Sequence, residues 1–138
     1  MQVTSHAVAF TVADETTSTE FFTKHLGFQK QMSAPGFASL LHEASGLNVI
    51  FHRTGLEVLP ENIRHQEQSG VILALVVPDI EAELARLSAE GVTITLPLRD
   101  EEWGERLFMI ADPNGVLIEF VQWATPDGKA PTGEWTTE

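Results

Sequence analysis

The chain has 138 residues, no cysteine, and a formal net charge of −12 from 20 acidic and 8 basic side chains. That length fits one domain with a sizeable core. The lack of cysteine excludes a disulfide scaffold, a thiolate metal site and cysteine catalysis. The acidic balance argues against nucleic acid, acidic membranes and phosphate-rich substrates, and it suits cationic or neutral ligands. No run approaches the ~20 apolar residues of a membrane span, and residues 1–13 lack a charged leader pattern. The sequence therefore predicts a globular, cytoplasmic protein with no nucleic-acid or membrane partner.

Taken in order, residues 6–12 alternate as a strand. Asp14 offers an N-cap for a helix over 15–25, with Phe21, Phe22 and Leu26 on one side and Gly27 as its stop. Thr16, Thr17 and Thr19 make it a weak helix, so packing must hold it. Short strands are expected at 28–33, 37–43 and 47–53, and a connecting loop over 54–68. The pattern then restarts. Residues 71–77 read as a buried strand, and Asp79 caps a helix carrying Ile80, Leu84 and Leu87. Gly91 ends that helix, Val92 to Leu96 form a strand, and Pro97 to Gly104 a loop. Residues 106–123 form a β-hairpin about Asp112-Pro113-Asn114-Gly115, whose proline and glycine are tight-turn residues. Residues 124–138 read as a polar tail.

The chain is thus an internal repeat, with module one at 6–53, a linker at 54–68 and module two at 69–123. Each half reads strand, helix, strand, strand, strand. The fold class is α+β: paired βαβββ modules forming a curved eight-stranded sheet around a cavity, with helices outside. Glu119 stands out within V-L-I-E-F-V, since a carboxylate in a buried strand costs several kcal/mol unless it is paired, hydrated or metal-bound.

Three stretches, V-A-D at 12–14, F-F-T-K-H-L-G-F at 21–28 and D-P-N-G-V-L-I-E-F at 112–120, resemble the glyoxalase/bleomycin-resistance/dioxygenase group, the vicinal oxygen chelate superfamily. The resemblance implies paired modules, often in a homodimer. It also implies, in many members, a divalent metal held by histidines on the first strands and a glutamate on the last. Here the first-strand positions, seven residues before Asp14 and Asp79, are Ala7 and Ile72, and only Glu119 matches. One carboxylate is too few for a metal that must also chelate substrate.

His6 neighbours the lost position but alternation puts it on the opposite strand face. His42 and His52 lie on strands and are expected to be hydrogen-bonded or partly exposed, while His25 and His65 read as surface residues. Ala7, Ala9 and Thr11 on one strand, and Ile72, Ala74 and Val76 on another, give a small apolar lining with Glu119 as its polar anchor. Trp103, amid Asp100, Glu101, Glu102 and Glu105, offers a face for a flat or cationic ligand. Two functions compete. One is a metal-independent protein of the bleomycin-resistance kind that sequesters a small organic ligand. The other is a lyase, isomerase or dioxygenase with an altered divalent-metal site or with Glu119 as general base.

Overall fold

The computed structural model describes residues 1–134; the last four residues of the expected polar tail lie outside them. Two helices and eight strands follow one another as β1 (Val8–Val12), α1 (Glu15–His25), β2 (Gln29–Ala34), β3 (Phe37–His42), β4 (Leu47–Arg53), β5 (Ile72–Val76), α2 (Ile80–Ala89), β6 (Ile94–Asp100), β7 (Glu105–Ala111) and β8 (Leu117–Trp123). The α+β class and the twice-repeated βαβββ order are as the sequence predicts. The strands form two four-stranded sheets, ordered β1-β4-β3-β2 and β5-β8-β7-β6, and neither is closed. In each, the first strand pairs parallel to the last and the other pairs are antiparallel.

The chain divides into two compact units. The first is Met1–Val71 with the turn Asp112–Val116; the second is Ile72–Ala111 with the chain from Leu117 onward. In the first unit the core lies between α1 and one face of its sheet. Phe10, Val12, Leu40, Val49 and Phe51 are buried there. The Phe22 ring of α1 meets Phe51 at 5.0 Å and Phe28 at 5.2 Å, both edge-on. This packing holds a helix of poor propensity. The threonine hydroxyls also turn back onto helix carbonyls, Thr19 Oγ1 to Glu15 O at 2.7 Å and Thr23 Oγ1 to Thr19 O at 2.9 Å. His25, expected at the surface, is buried, with its ring 5.0 Å from Phe21. It lies one turn beyond Phe22 on the covered side of the helix, so the apolar face extends through it.

Asp14 and Asp79 act as the N-caps, accepting from Thr16 N at 3.0 Å and Ala82 N at 3.1 Å. The first cap is reinforced by the hairpin turn. Asn114 Nδ2 donates to Asp14 O at 2.7 Å, and Asp14 N donates to Asn114 Oδ1 at 3.2 Å. Buried Asp112 accepts from Ser18 Oγ at 2.5 Å and from the backbone of Asn114 and Val116, both at 2.9 Å. The D-P-N-G stretch is therefore both a turn and the lock on α1.

Three further expectations are corrected. β1 begins at Val8, so His6 and Ala7 precede the strand and alternation does not fix their side. β6 runs on through Pro97 to Asp100, where a loop was expected. It is an edge strand with register slips on both sides of Leu96, which is where a proline is tolerated. β5 is not buried: Val71 is 41%, Ile72 49% and Val76 59% exposed, while Leu73 and Leu75 on its other face are half-buried. It too is an edge strand with only one face covered. The linker at 54–68 contains turns and no helix or strand; Arg64 ties it by donating to Leu59 O at 3.0 Å and Glu57 O at 3.2 Å.

Candidate functional site

In the second unit, Ile118 and Phe120 of β8 turn toward the buried side, and Phe120 stacks on Phe108 at 4.8 Å. Strand alternation then sends Leu117, Glu119 and Val121 to the opposite, helix-free face. Register places Ala74 of β5 beside Glu119 on one side and Met109 of β7 on the other. Ile72 and Val76 flank Ala74 on the same face. Glu119 thus stands as a carboxylate between Ala74 and Met109. Burial pushes its carboxyl above the usual range, and the charge of Glu105 raises it further.

Glu105, expected only as one of the acids around Trp103, shares the strand face of Glu119. It opens β7 opposite Trp123, which shares the face with Glu119. Burial raises Glu105 as well, followed by repulsion from Glu101. Glu101 is held by Arg99 at 2.6 Å. Counting back along the hairpin from the D-P-N-G turn gives the pairing that puts Glu105 here. Trp103 occupies the tight turn between β6 and β7, closed by Gly104 N donating to Glu101 O at 3.1 Å. Trp103 is 39% exposed.

In the first unit, the helix-free face carries Ala9 and Thr11 of β1, paired with Ile50 and His52 of β4. Ala9 is exposed and Thr11 half-buried. Ala7, just before the strand, is exposed. His52 pairs across to Phe37, with rings 5.4 Å apart. Its Nδ1 is buried without a hydrogen-bond partner, and burial lowers its pKa. His42 points the other way: its ring lies 5.4 Å from Phe28 and its Nδ1 is 2.7 Å from Ser45 Oγ. His65 is exposed as expected.

The residues do not fit a resident divalent metal of the kind the resemblance implies. The parallel pairing sets Ala74 against Glu119 in one sheet and Ala9 against Ile50 in the other, so Ile50 is the counterpart of Glu119. With Ala7 and Ile72 at the first-strand positions, Glu119 is the one side chain of donor type at the positions the resemblance implies. Among the described residues no group of three His, Cys, Asp or Glu side chains is arranged to hold a metal ion.

The model of the Glyoxalase/Bleomycin resistance protein/Dioxygenase superfamily matches residues 4–120. Among solved structures, a glyoxalase/bleomycin resistance protein/dioxygenase from Nocardioides is 22% identical with a TM-score of 0.75, covering 96% of this chain and 92% of that one. TnmS3, an antibiotic binding protein from Streptomyces sp. CB03234, is 22% identical with a TM-score of 0.66, covering 89% and 99%. Lactoylglutathione lyase from Agrobacterium tumefaciens is 14% identical with a TM-score of 0.69, covering 88% and 95%. No curated protein matches the sequence.

Proposed function

We propose a binding role for this chain, which belongs to the glyoxalase/bleomycin resistance protein/dioxygenase superfamily. It binds and sequesters a small cationic or neutral organic molecule, without a metal, over the helix-free face of its second sheet. The observation that carries this reading is Glu119, a carboxylate set between Ala74 and Met109 and partly withdrawn from water. A carboxylate on a mostly apolar surface, with Glu105 on the same face, orients a ligand and selects for positive charge. Ile72 and Val76 supply apolar contact, and Trp103 supplies an aromatic face at the neighbouring turn. The first unit's sheet, taken by itself, carries small side chains on its helix-free face, Ala9 and Thr11, with Ala7 before them, and these are further candidate contacts. The fold shared with an antibiotic binding protein supports the reading, as does the net charge of −12. We assign the protein to the cytoplasm and to a homodimer, with no nucleic-acid or membrane partner; among the described residues no helix is long and apolar enough to cross a membrane.

Equilibrium dialysis against a panel of cationic aromatic compounds tests the role. At least one should bind, and Glu119→Gln should weaken it about tenfold or more, the effect of losing a charge-assisted contact. A broad panel without any binder overturns the reading.

A second reading has one observation in its favour. Burial and Glu105 hold the Glu119 carboxyl above its usual range, the direction that suits a general base near neutral pH. It would then take a proton from a bound carbon acid, in a lyase or isomerase, and an altered divalent-metal site belongs to the same alternative. Turnover of a carbonyl substrate abolished by Glu119→Gln would support it; binding without turnover returns to the first.

A further inference from the structure

In the first unit, Thr4, Ser5 and His6 run ahead of β1 and border a concavity of about 420 Å³ with Gln31, Leu41, Gly46 and Asn48. That volume lies within the range of small-molecule sites. Leu41 and Asn48 are register partners on the helix-free face, and Gln31 sits at the register slip of β2, outside the strand's alternation. We propose that this concavity binds an uncharged polar group that donates hydrogen bonds, an amide or a hydroxyl, with Asn48 Oδ1 as its acceptor.

The chemistry follows from how Asn48 is held. Its Nδ2 donates to Leu40 O at 2.7 Å and to buried Ser39 Oγ at 3.0 Å. Both amide hydrogens are thereby used and the orientation of the side chain is fixed. Among the described residues no donor meets Oδ1. A preset acceptor of this kind loses little entropy when it binds. Gln31 and the hydroxyls of Thr4 and Ser5 offer both donors and acceptors at the rim, and Leu41 an apolar wall. No carboxylate, lysine or arginine lines the space, and His6 is its one ionisable side chain, so a charged ligand gives up its hydration for little countercharge there. The site uses no residue of the second unit, so it stands or falls separately from Glu119.

Two-dimensional amide NMR of the full chain, titrated with benzamide, benzylammonium and benzoate, tests this. Benzamide should shift the Gly46 amide and the Asn48 side-chain amide in a saturable way. The two charged probes should bind at least about tenfold more weakly, because each must shed water from an ion that finds no carboxylate, lysine or arginine there. Asn48→Ala should cost about the same, read at Gly46. Because that change also strips Ser39 and Leu40 of a partner, Ser5→Phe serves as the second variant. It fills the space from the N-terminal side, leaves the Asn48 bonds in place, and should abolish the shifts without lowering the thermal midpoint. No saturable shift at Gly46 with benzamide, equal response to the charged probes, or binding that survives Ser5→Phe would each overturn the proposal.

Discussion

At the scale of single residues, titration separates the groups that matter. Burial lowers the His52 pKa below its ordinary 6.5. The folded state then holds fewer protons there than the unfolded chain does. Its contribution to stability is complete above about pH 6.5 and is lost as pH falls toward and through the folded value. Glu105, Glu119 and Asp112 run the other way, since their raised pKa values favour the folded state as pH falls. Comparing urea midpoints of the parent and His52→Phe at pH 7.5 and pH 5.5 isolates the histidine. The variant should lose less stability over that interval. An equal loss would show that His52 is not the group being charged.

At the scale of elements, α1 is held by partners far away in sequence. Asp112 accepts from Ser18 and from two backbone N–H groups, and Asn114 reaches Asp14 and Ser18. Replacing Asp112 by alanine leaves a buried hydroxyl and a buried amide without acceptors, and should cost about 2–4 kcal/mol in urea unfolding. Pro113→Ala, at an exposed position, should cost under about 1 kcal/mol. Comparable losses would show that the turn acts only as a loop. Element positions were largely legible in the sequence, because Asp14, Gly27, Asp79 and Gly91 punctuate the two helices and the D-P-N-G turn sets the hairpin. The locking role of Asn114 was not, since its bonds to Asp14 span 100 residues. Nor was the end of β6: Pro97 reads as a strand breaker until its strand is known to be an edge. The same ignorance of edges made β5 read as buried. At the candidate site, alternation and the repeat single out Glu119 and Ala74, which are register partners. Glu105 needed the hairpin register, and the start of β1 at Val8 removed the argument that had set His6 aside.

At the scale of the whole molecule, the repeat accounts for the chemistry that is present. Two βαβββ modules put equivalent strands in equivalent sheets, yet the ligand-bearing positions of one hold Ala7 and Ile50 and those of the other hold Ile72 and Glu119. Of those four positions only Glu119 carries a side chain of metal-donor type. With a net charge of −12, capture of a cationic ligand should also slow as salt rises, because steering is screened beyond about 8–10 Å at physiological ionic strength. Stopped-flow association rates at 20 and 300 mM salt read this directly, and a salt-independent rate would exclude steering. The central claim is that Glu119 anchors a positively charged ligand. It is tested most directly by calorimetric titration of a cationic aromatic binder into the parent and Glu119→Gln at pH 5 and pH 8. The parent should bind more tightly at pH 8, where the raised carboxyl is ionised, and the variant should bind weakly and equally at both. Equal affinity for parent and variant at pH 8 would contradict the claim.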